Sequence, residues 1–280
     1  MVMSVKYKID GEDDKLSDCD PVWNAIIKEA ELAIQNDPAV GNYMNSLILG
    51  QDSLEKCISL KLAQTLESYY IDITTIKEVF DEFYNSDPIV SQIIRADISA
   101  VYDRDPACNR YMEPVLYFKG FHAIQIHRAA HWLWKNNRKD IAYHFQSMSS
   151  KLFSVDIHPA AVFGRGIFID HATGIVIGET AIIDDDVSML HDVTLGGTGK
   201  KGGDRHPKVK SGVLIGAGAK ILGNITIGKR SRVASGSVVL NSVPENTTVA
   251  GVPAKVVGEV GDENPSTLMD HQFPSGKTPS

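Results

Sequence analysis

The chain has 280 residues, 43% of them hydrophobic, with a formal net charge of −7 and only three, widely spaced cysteines (Cys19, Cys57, Cys108). That length suits two modest domains or one domain with a repeat array. The acidic balance argues against nucleic acid as a general partner, and the cysteines form neither a disulfide framework nor a zinc pattern and are expected as free thiols. No apolar run reaches 18 residues and no signal-like segment follows Met1, so a soluble, cytoplasmic protein with no membrane association is expected.

Residues 1 to about 18 are polar and acidic and are expected to be poorly ordered. Asp20-Pro21 then opens a helix, with aspartate as N-cap and proline in the first turn. Trp23, Ile26, Ile27 and Ala30 follow on one face. Ser53 starts a second helix with Leu54, Cys57, Ile58 and Leu62 as core contacts. Asp87-Pro88 repeats the aspartate–proline start before Ile89, Ile93 and Ile94. Gly120 to Leu152 reads as two packed helices broken near Asn136-Asn137. The expected organisation is an all-α domain over 1–153, a repeat domain over 154–258 and a flexible tail over 259–280.

The repeat is read from Ile157 onward. Every sixth residue is apolar: Ile157, Phe163, Ile169, Ile175, Ala181, Val187, Val193, then after a break Ile215, Ile221, Ile227, Val233 and Val239. A helix wants a period near 3.6 and a plain strand a period of 2. A period of six fits a chain that turns a corner every six residues and buries one side chain per side, the mark of a parallel β-helix. Three sides make an 18-residue coil, so Ile157, Ile175 and Val193 should stack. The fold class is therefore α+β: an all-α N-terminal domain followed by a left-handed parallel β-helix of hexapeptide repeats.

The ladder breaks at a polar insert, Gly196 to Pro207. Long insertions in regular structure usually carry function. The window Gly196 to Arg232 holds nine Lys and Arg residues opposed only by Asp204, which suits a small polyanion. The glycine run Leu195 to Lys201 fails as a phosphate loop: Lys201 stands where serine or threonine should bind magnesium. His127 and His131 have metalloprotease spacing, but Arg128 lies between them where the glutamate base should be, so they read as packing histidines. His171 differs. It lies two positions past a core rung, on the outer surface. Asp156 precedes it by 15 residues, three short of an 18-residue coil, which leaves the two near one corner. A carboxylate there would orient an imidazole acting as general base; an ordinary surface pair is the alternative.

Six segments carry a resemblance: Asp103-Arg104-Asp105-Pro106-Ala107, Lys119-Gly120-Phe121-His122-Ala123, Asp170-His171-Ala172-Thr173-Gly174, Thr194 to Gly199, Gly203-Asp204-Arg205-His206-Pro207-Lys208, and Ile215 to Asn224. Over about residues 85 to 258 the chain resembles the serine O-acetyltransferases. The resemblance implies acetyl transfer from acetyl-CoA, as co-substrate and without a metal, to the hydroxyl of L-serine for cysteine biosynthesis. It implies His171 as base with Asp156 as its partner, His206 as a further catalytic group, and Asp105, Asp170, His171, Arg205 and His206 around serine. Acetyl-CoA would be held by Gly197, Ala217, Lys220 and Ser235. It further implies feedback inhibition by L-cysteine and a homotrimer or hexamer. The rivals are another hexapeptide O-acyltransferase acting on a sugar or antibiotic hydroxyl, and a metal-dependent hydrase or non-catalytic scaffold. Family members often end in isoleucine and dock that end into O-acetylserine sulfhydrylase. This sequence ends Thr278-Pro279-Ser280, so no stable complex with the sulfhydrylase is expected.

Overall fold

The computed structural model describes residues 20–199, 202–261 and 264–269. Helices come first: α1 (Pro21–Asn36), α2 (Gly41–Met44), α3 (Leu54–Leu66), α4 (Ile73–Tyr84), α5 (Pro88–Arg104), α6 (Met112–Leu116), α7 (Lys119–Lys135) and α8 (Lys139–Phe153). The predicted caps explain where they begin. The Asp20 and Asp87 carboxylates accept from Trp23 N and Ile89 N, each with proline at the next position, and Ser53 Oγ accepts from Lys56 N. Each cap satisfies an N–H that the first turn leaves without a partner. Trp23, Ile26, Ala30, Leu54, Cys57, Ile58, Leu62 and Ile94 join one apolar core, whereas Ile89 lies outward, 43% exposed. Asn137, with φ of 58°, separates α7 from α8. Cys57 and Cys108 are free and buried, and burial pushes both thiols up to about 12.

A parallel solenoid of five turns follows. The first turn holds β1 (Val155–Ile157), β2 (Val162–Phe163) and β3 (Phe168–Ile169). The second holds β4 (Ile175–Ile177), β5 (Ile182–Ile183) and β6 (Ser188–Met189), and the third β7 (Thr194–Gly196), β8 (Lys208–Val209) and β9 (Leu214–Ile215). The fourth holds β10 (Lys220–Leu222), β11 (Thr226–Ile227) and β12 (Arg232–Val233), and the fifth β13 (Val238–Val239) and β14 (Thr247–Gly251). β15 (Ala254–Glu259) returns antiparallel on β14. Three faces result, ordered β1-β4-β7-β10-β13, β2-β5-β8-β11, and β3-β6-β9-β12-β14-β15.

The register corrects one expectation. Ile157 stacks on Ile177 and then Leu195, not on Ile175 and Val193. The corner between Ile169 and Ile177 is two residues longer than the repeat, so the rungs shift to Ile177, Ile183, Met189 and Leu195. Ile175, Ala181, Val187 and Val193 are also buried, but they occupy a second inward position two residues earlier. A hexapeptide has two inward positions, and a ladder of aliphatic residues alone does not reveal a slip from one to the other.

Side chains of the helices bond directly to the backbone of the first turn. Arg104 Nη1 donates to Gly166 O at 3.0 Å and Arg128 Nη2 to Gly164 O at 2.7 Å. His127 Nε2 donates to Ala161 O at 3.1 Å and His131 Nδ1 to Pro159 O at 2.8 Å. Asp97 Oδ1 accepts from Ile167 N at 3.0 Å, and the same carboxylate takes Arg128 Nε and Nη2 at 2.9 and 3.0 Å and Gln125 Nε2 at 2.9 Å. Asp97 is 0% exposed and Arg128 8%.

Part of the expected tail is packed. Asn264 caps α9 (Pro265–Leu268). Pro265 and Ser266 are buried, and Ser266 O accepts from Ser188 Oγ at 2.8 Å. The expectations for residues 1–18 and for the segment ending at Ser280 lie outside the described residues.

The buried histidines set an acid response. His122 Nε2 donates to Val115 O at 2.8 Å, and burial pushes this imidazole down to about 4 from its ordinary 6.5. Burial also holds His127 well below that value. Above pH 6.5 both groups are neutral in the folded and unfolded chains. As pH falls below 6.5 the unfolded chain takes up protons first, so stability falls by about 1.4 kcal/mol per pH unit for each such group. For His122 the decline ends near pH 4. Urea unfolding at pH 7 and pH 5 is expected to show this loss, and His122→Gln should flatten the slope.

Candidate active site

The long corner between β3 and β4 presents His171. Its φ is +56° and that of Ala172 +58°. Ala172 N donates to Asp170 O at 2.6 Å, and Thr173 N to His171 O at 2.7 Å. These are three-residue turns with positive φ at their centres, the strained form. Strain of this kind clusters at functional sites. The His171 side chain is 75% exposed, with Nε2 3.6 Å from Asp170 Oδ1, and its ring lies 6.0 Å from that of His191, one turn further along.

Asp170 also borders a cavity of about 670 Å³ under the end of α5, with Asp105, Tyr102, Arg104, Cys108 and Phe168 on its walls. Burial raises the Asp170 carboxyl above its ordinary range, and the Asp105 charge adds to the effect while His171 opposes it. Two carboxylates sharing one cavity favour a cationic guest, because an ammonium relieves the repulsion between them. The predicted pair of Asp105 and Asp170 is thus brought together, beside His171.

Arg205 and His206 occupy a different corner, where the first face turns into the second. Arg205 Nη2 pairs with Glu179 Oε2 at 2.7 Å, which holds the Glu179 carboxyl below its ordinary range. His206 is 6% exposed. Its imidazole is shifted down, first by burial and then by Arg205 and Lys208, with Glu179 opposing. Gly197 follows β7 at the same corner, and a Cβ there would meet Arg205 O at 3.6 Å. Within one chain the first face, three residues wide at β4 and so about 10 Å across, separates this group from His171.

Asp156 lies on the outer side of that face, in register with Val176. Its Oδ1 accepts from Gln146 Nε2 of α8 at 2.6 Å. The expected Asp156–His171 contact is not formed among the described residues: the coil there runs 20 residues, from Asp156 to Val176, so the two stand five positions from stacking rather than three. Ala217 and Ser235 lie on the corner that carries His171, two and three turns further along, linked by Gly236 N donating to Ala217 O at 2.8 Å. Lys220 starts β10 beside them and pairs with Asp192 at 2.8 Å.

The basic window is less bare than its sequence suggests. Arg205, Lys208, Lys210 and Lys220 pair with Glu179, Asp204, Asp184 and Asp192, and three of these acids come from the preceding turn. Sequence reasoning passed over Glu179, Thr180, Gln146 and His191. Counting could have found Thr180: with eight residues inserted, β5 registers on β8 at a spacing of 26, as Ile182 on Lys208 shows, and 180 to 206 is the same interval. Among the described residues, no group of three or more His, Cys, Asp or Glu is arranged to hold a metal ion, and no helix is long and apolar enough to cross a membrane.

A helical region joined to a hexapeptide solenoid, with an exposed imidazole at an elongated corner, defines the hexapeptide acyltransferase class. A model of the bacterial transferase hexapeptide family (six repeats) matches residues 206–241, and one of the serine acetyltransferase N-terminal family matches 22–126. The serine acetyltransferase of Escherichia coli K12 is 50% identical over 252 residues, 90% of this chain and 92% of that protein. The solved Brucella abortus serine acetyltransferase in complex with coenzyme A superposes with a TM-score of 0.87 at 56% identity, covering 89% of this chain and 99% of that one. A serine acetyltransferase in complex with cysteine gives 0.88 at 48% identity, covering 90% and 98%. The chain belongs to the serine acetyltransferase family.

Proposed function

We propose that this chain transfers the acetyl group of acetyl-CoA to the hydroxyl of L-serine, as the first step from serine towards cysteine in the cytoplasm. The observation that carries the reading is the shared cavity of Asp105 and Asp170 next to His171: an ammonium site beside a base. Serine is a zwitterion, so its carboxylate calls for a cation, and Arg205 has the planar fork that matches it. His171 removes the hydroxyl proton and the alkoxide attacks the thioester carbonyl. The Gly197 N–H and His206 stabilise the tetrahedral oxyanion, and one such donor is worth about 2.7–4 kcal/mol. The intermediate then expels the CoA thiolate, which takes its proton from the His171 imidazolium. Asp156, whose Oδ1 is held by Gln146, is assigned as the orienting partner of His171 by the resemblance alone. The corner bearing Ala217 and Ser235, with Lys220 beside it, would hold the CoA.

Serine is too short to touch both corners of one chain. A homotrimer solves this, with the His171 corner of one copy facing the Arg205–His206 corner of the next. Val176 supports that arrangement: it lies between the two groups, apolar and 44% exposed, as a residue covered by a neighbouring copy would. A sugar or antibiotic acceptor fits less well, since it would have no use for the paired carboxylates.

Thiol release from acetyl-CoA tests the reading. L-Serine is expected to support turnover and sugars are not; the reverse would overturn it. L-Cysteine differs from serine by one atom, so it is expected to compete and to raise the apparent KM for serine. A serine KM that stays constant at high cysteine would count against a shared site.

A further inference from the structure

We propose that Thr180 is a positioning residue that fixes His206 in its Nε2–H tautomer, making His206 a hydrogen-bond donor and leaving His171 as the base. The inference rests on the serine acetyltransferase reading above and assigns a role to a residue outside its predicted site. Thr180 surrounds one imidazole nitrogen. Its backbone N–H donates to His206 Nδ1 at 3.1 Å, and its hydroxyl lies 2.9 Å from the same atom. A backbone N–H only donates, so Nδ1 must accept. A neutral ring then carries its proton on Nε2.

The hydroxyl makes other contacts. Thr180 Oγ1 accepts from Arg205 N at 3.0 Å and from His206 N at 3.1 Å. Its own proton is shared between Nδ1 and the Asp204 carboxylate, which also bonds this side chain, so it is the backbone N–H that makes Nδ1 the acceptor. One residue thus ties down the backbone of Arg205 and His206 through its hydroxyl and sets the tautomer of the second through its N–H. The two residues before it serve the same pair. Glu179 holds the Arg205 guanidinium, and a Cβ at Gly178 would come within 2.0 Å of His206 Nε2, so only glycine leaves room for the ring. The charged and titratable groups facing His206 include Arg205, Glu179, Lys208 and His158, with Asp204 bonded to Thr180 and Lys208 beside it. The two cations and the burial disfavour an imidazolium, which keeps the Nδ1 lone pair free to accept. A histidine held this way cannot take a proton on Nδ1 without losing two donors, so it serves transfer by offering Nε2–H.

Two measurements on the full chain test this. The first is a long-range ¹H–¹⁵N spectrum of histidine-labelled protein near pH 7.5, with His206 assigned by its loss in His206→Gln. The expected pattern is a protonated Nε2 and an unprotonated Nδ1; a protonated Nδ1 would overturn the proposal. The second compares Thr180→Val, which keeps the shape, with Thr180→Ser, which keeps the hydroxyl. Thr180→Val is expected to lower kcat with L-serine about tenfold, and Thr180→Ser to stay within about twofold of wild type. A valine variant with wild-type kcat sinks the idea, as does a serine variant no better than valine. Should wild type itself release no CoA with L-serine, the functional reading fails while the spectrum still decides the tautomer.

Discussion

Replacing His171 by alanine is expected to lower kcat for CoA release with L-serine by about 10²–10⁴-fold, the usual contribution of a positioned general base. The KM for acetyl-CoA should not change, because in the proposed mechanism the imidazole acts on the acceptor hydroxyl. The structure gives the expectation its force. His171 is held at a strained corner by two short backbone bonds, its ring is exposed, and the paired carboxylates lie at its side. Of the imidazoles near the Arg205 guanidinium, His206 has its Nδ1 committed to Thr180 and His158 has its Nδ1 accepting from Ala160 N. A variant that kept more than about 5% of wild-type kcat would move the base elsewhere.

Asp97→Ala is expected to destabilise the fold by about 3–5 kcal/mol, the cost of stripping one partner from a buried ion pair. The carboxylate is 0% exposed and accepts from Arg128, Gln125 and the Ile167 N–H. Removing it leaves a buried guanidinium, an amide and a backbone donor without their acceptor. Pairing Asp97→Leu with Arg128→Met should recover most of the loss, because that change removes the stranded charge as well. Urea unfolding of the three proteins checks this. A loss below about 1 kcal/mol for Asp97→Ala would show that the junction is wet.

The helix starts were legible because aspartate–proline and serine caps act within four residues. The solenoid was legible because its inward positions recur along the chain. The register of the second turn was not: two extra residues at Asp170 to Gly174 moved the rungs from one inward position to the other, and both positions are apolar. The same two residues misplaced Asp156 relative to His171. Arg205 and His206 were found by resemblance, but their support was not, because Gly178, Glu179 and Thr180 meet them only through the 26-residue interval between turns. Spacing related Asp156 and His171 alone and said nothing of how the expected serine contacts are distributed around the solenoid. The prism separates them, since a face three residues wide lies between the two corners.

The bonds from α5 and α7 to the first turn have a consequence for assembly. A solenoid is a stack of strands, and each terminal strand is an edge whose free N–H and C=O groups could template another stack. Here the leading edge is blocked by side chains rather than by a further strand: Arg104, Arg128, His127 and His131 occupy the carbonyls of Gly166, Gly164, Ala161 and Pro159, and Asp97 takes the Ile167 N–H. At the trailing edge β15 runs backwards across β14, which a parallel stack cannot continue. The solenoid is therefore protected at both ends against growing strand on strand into filaments.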